Sequence, residues 1–237
     1  MKTLDSAEWL NYSAALAFVG NSLVAPMDET ETLGLEPGFW SQFPNFGSVE
    51  AMTAIEMLGD FAAQAEKRAD AGEDPVQKAA DEYHMLFVGE KKPKAAPWED
   101  AYRDTEWRVQ RASDFGPSAL DMQNLLHEAG LTVSEAGDGH ADHMGIELLY
   151  TAVLCERMAR LAGAPDELLA ADTATPEGVA DPTPAQIAGF AAMHPLAWID
   201  KLQARVAAAC PGGYFENLLA LAQALLKSLV EKLNPEP

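Results

Sequence analysis

The densest group of side chains that could carry chemistry in this chain lies between residues 138 and 143. The group consists of Asp138, His140, Asp142 and His143. Imidazole and carboxylate groups are ligands that zinc and iron accept, so the group could form the centre of a metal-dependent hydrolase. The chain has no His-Glu-x-x-His motif and no further Glu-x-x-His partner. The alternative is that Asp138 or Asp142 caps a helix by accepting backbone N–H groups.

A second group of candidate residues surrounds a tryptophan in the sequence P-W-E-D-A-Y. Trp98 follows Pro97, and two acids and a tyrosine come directly after it: Glu99, Asp100 and Tyr102. A large aromatic side chain among acids on a loop is typical of a recognition surface, although Trp98 could also be a core residue. We therefore expect this loop to bind a partner.

The sequence lacks the motifs of covalent catalysis and of phosphate binding. Neither Gly-x-Ser-x-Gly nor Gly-x-x-x-x-Gly-Lys nor Gly-x-Gly-x-x-Gly occurs, and these motifs mark nucleophiles and phosphate sites. Cys155 and Cys210 lie in apolar contexts without Cys-x-x-Cys spacing, which fits a reducing compartment. We therefore favour a protein without enzymatic activity, cofactor or metal over the hydrolase.

The net charge limits the possible partners. The chain carries 37 acids against 16 lysines and arginines, a net charge of −21. This balance argues against nucleic acid and against an anionic membrane surface, and it suits a cationic partner. Acidity could also serve solubility alone. No apolar stretch is long enough to span a membrane, and Asp5 and Glu8 do not fit a signal peptide, so we expect a cytoplasmic protein without stable membrane insertion.

The elements that must position these residues are helices. Apolar periodicity and capping residues predict helices over about 6–24, 48–71, 74–88, 117–129, 141–162, 184–209 and 213–233, with a short helix or turn within 26–46. Long connections are predicted over 89–116, 131–140 and 163–183. Trp198 is expected to be buried, and Pro195 to bend the helix that contains it. The sequence predicts one all-α domain of roughly eight helices over residues 1–237.

Three segments together resemble a known family. They read Y-H-M-L-F-V-G followed by A-P-W-E-D-A-Y, then A-D-H-M-G-I-E-L-L-Y, then H-P-L-A-W-I-D-K-L. In this order and spacing they look like the TorD/DmsD family, cytoplasmic chaperones for molybdenum oxidoreductases that leave the cell by the twin-arginine route. The resemblance covers roughly residues 80–205.

The resemblance implies an all-helical fold that binds the signal peptide of a client enzyme. The binding positions proposed for the family match Pro97, Trp98, Asp142 and His143. One departure concerns the residues just ahead of the Asp-His pair, where the family often has Glu-Pro and this chain has Gly139-His140.

The chemistry of a twin-arginine peptide fits these residues. Carboxylates could pair with its two guanidinium groups; the candidates are Glu99, Asp100, Asp138 and Asp142. Trp98 could stack on an arginine or on the apolar run that follows, and a groove lined by Met and Leu would take the rest of that run.

We therefore expect a chaperone that holds the signal peptide and the apo form of a molybdopterin-dependent oxidoreductase until its cofactor is inserted. The rivals are the metal-dependent hydrolase and a helical scaffold whose acidity serves general protein contact. Neither the client nor the oligomeric state follows from the sequence.

Overall fold

The computed structural model describes residues 4–89, 92–103, 116–132 and 140–234. Over these ranges the chain forms nine α-helices: α1 Ser6–Val24, α2 Pro37–Ser41, α3 Val49–Asp70, α4 Pro75–Tyr83, α5 Pro117–Glu128, α6 Met144–Leu161, α7 Pro184–Met193, α8 Pro195–Ala209 and α9 Tyr214–Leu233. Across the same ranges the β pairing consists of one isolated bridge. The prediction of an all-α fold is confirmed.

Local sequence explains where several of these helices begin. The carboxylate of Asp5 accepts the backbone N–H of Glu8 at 2.8 Å, and the Glu8 carboxylate accepts the backbone N–H of Asp5 at 3.2 Å. This reciprocal capping box starts α1. Ser48 and Asp74 cap α3 and α4 without a reciprocal bond, because their side chains alone accept backbone N–H groups of the first turn. These starts lie where the sequence predicts them because each cap depends on residues within three positions.

The predicted helix over 184–209 is wrong as a single element. The backbone breaks at His194, whose φ and ψ are −109° and −93°, and Pro195 begins a new helix. Proline has no N–H to continue the ladder of α7, and its ring hinders the preceding turn. The break separates α7 from α8 and leaves the His194 side chain at the junction.

Helix α6 is the central helix, as its apolar sequence predicts. Twelve of its 18 residues are buried, and its main neighbour is α1. The two helices approach closely at Gly20 and Gly145. A Cβ atom on Gly20 would lie 2.9 Å from the Gly145 carbonyl oxygen, and one on Gly145 would lie 2.7 Å from the Gly20 carbonyl oxygen. This contact holds the end of α1 beside the start of α6.

The proline-rich segment after α1 carries aromatic residues onto the core, as predicted. Helix α2 places Phe39 and Trp40 against Phe18 of α1, with ring centroids 4.7 and 5.6 Å apart. The indole N–H of Trp40 donates to the Gly34 carbonyl oxygen at 2.9 Å, which satisfies the polar atom of a buried ring.

None of the described helices combines the length and the apolar character needed to cross a membrane.

Candidate functional site

The two candidate segments of the sequence meet in space although 45 positions separate Trp98 from His143. These two residues form an antiparallel bridge. The backbone N–H of Met144 donates to the Pro97 carbonyl oxygen at 2.8 Å, and the backbone N–H of Glu99 donates to the Asp142 carbonyl oxygen at 2.9 Å. The Pro-Trp segment is therefore fastened to the first residues of α6.

A pocket of about 360 Å³ opens beside this bridge. We call it the Trp98 pocket, and it is lined by residues 24–26 and 29, 83–84 and 87–88, 97–98 and 143. One wall is thus the end of α1 and the turn after it. The second is the end of α4 and the segment behind it, and the third is the Pro-Trp segment with His143.

The second wall departs from regular α-helix. Residues His84–Val88 form a π-helical turn that ends at Gly89, a deviation often found at functional sites. Gly89 has a φ of +66°, and a Cβ atom there would lie 2.3 Å from the Lys92 carbonyl oxygen. The backbone N–H of Ala95 then donates to the Leu86 carbonyl oxygen at 2.9 Å, which folds the connection back towards Trp98.

Trp98 is half-buried at the pocket. Its indole stacks on the imidazole of His140, with ring centroids 4.5 Å apart and planes inclined by 7°. One face of the indole is therefore covered from within the protein. The residue still lines the pocket.

His143 is the N-cap of α6. Its Nδ1 accepts the backbone N–H of Gly145 at 3.0 Å. Burial and the nearby charge of His140 lower the pKa of His143 to about 3, so the ring is neutral at physiological pH. Because Nδ1 accepts, the ring proton lies on Nε2. The expectation that Asp142 caps this helix is wrong, and Asp138 lies outside the described residues.

Asp142 faces the interior. Its side chain is fully buried, and Oδ2 accepts the backbone N–H of Asp100 at 3.0 Å. The other oxygen lies 3.6 Å from Nδ1 of His140. Burial raises the pKa of Asp142 to about 6, and the charge of Asp100 adds to the rise, while the hydrogen bond from the Asp100 N–H opposes it. Asp142 thus ties the Pro-Trp segment to α6.

Glu99 is also fully buried. Oε1 accepts from Nε of Arg103 at 2.9 Å, and Oε2 lies 3.3 Å from Nδ1 of His194. Burial raises the pKa of Glu99, but the hydrogen bonds from His194 and Arg103 outweigh burial and leave the pKa below its usual value. Glu99 is therefore a paired, buried carboxylate that joins the Pro-Trp segment to the α7–α8 junction.

Asp100 and Tyr102 complete the inward connections. Asp100 Oδ1 accepts the backbone N–H of Ser118 in the first turn of α5 at 3.3 Å. The Tyr102 ring is buried and stacks on Trp198, with centroids 5.3 Å apart, and burial raises the pKa of Tyr102 to about 12. Trp198 itself is 1% exposed, so its predicted burial is confirmed.

Glu147 is a functional candidate that sequence reasoning missed. It is fully buried on α6, and its Oε2 accepts the indole N–H of Trp198 at 3.1 Å, while Oε1 has no hydrogen-bond partner. Burial and the charge of Glu99 raise the pKa of Glu147 well above its usual value. The signal available in the sequence was an acid in the otherwise apolar run G-I-E-L-L-Y.

The residues that could hold a metal differ from those expected. Among the described residues, Glu99, Glu147 and His194 offer ligand atoms within 4.8 Å of one another. In the predicted cluster, His143 Nδ1 and Asp142 Oδ2 are engaged by backbone N–H groups. The geometry therefore gives the predicted hydrolase cluster no support.

The seven predicted site residues fall into two layers. Pro97, Trp98 and His143 line the Trp98 pocket. Glu99 and Asp142 lie beneath it with no exposed surface, and Asp100 and Tyr102 make the inward contacts described above. Trp98 is the half-buried member of the outer layer, whereas Pro97 and His143 line the pocket but are themselves buried.

A second groove, of about 460 Å³, lies between α5, α6 and α7. Its apolar lining includes Tyr150, Phe190 and Met193. His194, which directly follows α7, also lines the groove. The Met193 side chain is 65% exposed. Because His194 also contacts Glu99, the groove adjoins the inner layer of the site.

Comparisons with known proteins agree with this architecture. The family model described as nitrate reductase delta subunit matches residues 50–204, more than half of the chain. A curated protein of Haemophilus influenzae, described as a probable Tat proofreading chaperone DmsD, is 28% identical over 85 residues. That alignment covers 36% of this chain and 39% of the relative. No solved structure matches the chain significantly.

These findings confirm the resemblance noted in the sequence. The fold is all-α, and the Pro-Trp and Asp-His segments converge on one pocket. The chain belongs to the TorD/DmsD family.

Proposed function

We propose that this protein is a chaperone that binds the twin-arginine signal peptide of a molybdopterin-dependent oxidoreductase in the cytoplasm. The observation that carries the proposal is the convergence of the family's sequence segments on the Trp98 pocket. Binding would hide the peptide from the export machinery until the cofactor is in place. This role requires no covalent chemistry.

The pocket and the groove suit different parts of such a peptide. The Trp98 pocket combines an aromatic ring with polar and apolar walls, which suits an arginine side chain. The lining of the second groove includes apolar residues such as Phe190 and Met193 beside the charged Glu128, Arg157 and Asp181, and its apolar part suits the apolar run. The net charge of −21 favours approach of the basic part of the peptide.

The test is a calorimetric titration with the leader peptide of a molybdopterin oxidoreductase. We expect 1:1 binding that weakens when both arginines are replaced by lysine and weakens further when they are replaced by glutamine. Lysine keeps the charge but loses the planar fork that can donate two parallel hydrogen bonds. A scrambled peptide of the same composition is the control. Equal binding of the scrambled peptide would favour the scaffold function and contradict the proposal.

A further inference from the structure

Of the acids that the sequence assigns to the peptide arginines, the three that the structure describes do not face the Trp98 pocket, and Asp138 lies outside the described residues. Glu99 and Asp142 have no exposed surface. Asp100 is absent from the pocket lining, and its side chain accepts from the start of α5. Among the acids that the structure describes, a guanidinium group in the pocket therefore needs a different carboxylate as its partner.

Glu29 is the carboxylate that the described lining of the pocket contains. It lies on the turn after α1, on a different wall of the pocket from the Pro-Trp segment. Its backbone N–H donates to the Pro26 carbonyl oxygen at 3.0 Å. Pro26 and Met27 are buried while Glu29 itself is exposed. The turn is thus anchored and the carboxylate is free to reach a ligand.

The Glu29 carboxylate has no polar partner within the part of the chain that the structure describes. By contrast, the buried carboxylate of Glu99 is already paired with Arg103. Trp98, in another part of the same lining, offers an aromatic surface. A carboxylate and an indole on two walls of one pocket are complementary to a planar cation, because guanidinium both pairs with carboxylates and stacks on aromatic rings.

We infer that the Trp98 pocket is a guanidinium site in which Glu29 supplies the charged partner and Trp98 the aromatic wall. The inference rests on the proposed function, since it identifies which residue of the protein reads an arginine of the leader peptide. Glu29 is then a specificity-determining residue. The buried acids Glu99 and Asp142 position the wall that carries Trp98.

The test uses a synthetic peptide with two adjacent arginines followed by an apolar run, and two matched peptides in which each arginine in turn is citrulline. Citrulline keeps the shape of arginine and removes its charge. Wild-type protein should lose about tenfold in affinity when the arginine in the pocket becomes citrulline, the size expected for a charge-assisted hydrogen bond. Glu29→Gln should bind the arginine peptide about tenfold more weakly and should no longer distinguish it from that citrulline peptide.

Asp28→Asn and Glu31→Gln are the matched controls, because both acids are exposed neighbours that do not line the pocket. Both variants should discriminate arginine from citrulline as wild type does. Thermal melting should show that all three variants are folded, since none of these side chains is buried.

The outcomes separate the inference from the proposed function. If wild type binds none of the peptides, the proposed function fails and the inference fails with it. If wild type prefers arginine and Glu29→Gln keeps that preference, the proposed function stands and the assignment of Glu29 is overturned. An equal loss of discrimination in Asp28→Asn would also overturn the assignment, because it would show a general effect of negative charge.

Discussion

The indole of Trp98 and the imidazole of His140 are stacked almost in parallel, 4.5 Å between centroids. His140 occupies the position at which the family often has the proline of its Glu-Pro pair. In this chain the ring of His140 covers one face of the tryptophan and limits its rotation. We propose that this ring contact orients the tryptophan for binding of the peptide.

His140→Ala should weaken binding of the leader peptide about threefold, because it removes an aromatic contact that holds Trp98 in place. His140→Phe should bind like wild type, since it keeps a ring for the stack. Calorimetric titration of both variants measures the difference. Tighter binding by His140→Ala would show that His140 blocks the ligand rather than prepares its site.

Trp98→Ala should weaken binding about thirtyfold, which corresponds to the roughly 2 kcal/mol of a buried aromatic anchor. Trp98→Phe should fall between wild type and the alanine variant. The unfolding midpoint of each variant is measured alongside, because Trp98 is half-buried. Undiminished binding by a folded Trp98→Ala protein would place the peptide site elsewhere.

His143 has two separable roles, as helix cap and as pocket residue. His143→Ala should lower the free energy of unfolding by about 1 kcal/mol, because the Gly145 N–H loses its acceptor. His143→Asn should recover most of that stability, since asparagine is a good cap, but it should not recover peptide affinity. Denaturant unfolding and titration of the same samples compare the two. Full affinity in His143→Asn would limit His143 to capping.

The raised pKa of Glu147 predicts that the stability of the protein depends on pH. Its pKa is raised in the folded protein, so the folded state holds the proton more tightly than the unfolded state. The shifted pKa of Glu147 therefore has no effect on the free energy of unfolding below the usual carboxyl pKa of about 4.3. The free energy of unfolding falls as the pH rises from there through the higher pKa that Glu147 has in the folded protein. Glu147→Gln should match wild type near pH 4 and be the more stable protein at pH 8. Denaturant unfolding at the two pH values measures this.

The same variant tests for a metal at Glu99, Glu147 and His194. If a divalent ion bound there, Glu147→Gln would lose it and would be less stable than wild type at pH 8. Elemental analysis of both proteins, purified without chelator, shows whether the Glu147 carboxylate binds a metal ion or is instead neutralised by a proton.

Gly189 allows the second groove to be filled without disturbing the core. It lies on α7 in the groove lining, and a Cβ atom there would meet nothing within 4 Å. Gly189→Leu should keep or raise the melting temperature, because it removes a glycine from a helix, and should weaken binding of the leader peptide. Ala192→Leu, at an exposed position outside the groove lining, is the control and should bind normally. Unchanged binding by Gly189→Leu would remove the groove from the peptide site.

The positions of the helices could be read from the sequence because their causes are local. Asp5, Ser48 and Asp74 act within three residues, and the apolar faces repeat with the period of the helix. The break at His194 was visible only as a proline that would bend a helix. Whether a proline bends a helix or divides it depends on what the neighbouring side chains bind, and here His194 contacts Glu99, 95 positions away.

The sequence alone also determined that the chain is all-α, that Trp198 is buried and that the Pro-Trp and Asp-His segments belong to one family's site. Only the tertiary structure decided which of the described acids line the Trp98 pocket. The sequence offers Glu99 and Asp142 as partners for the peptide arginines, yet both are buried. Glu99 contacts Arg103 and the distant His194, and Asp142 accepts the distant Asp100 N–H. Glu29 is one acid among several in D-E-T-E, and it lines the pocket because α1 packs against α6, a contact between residues more than 100 positions apart.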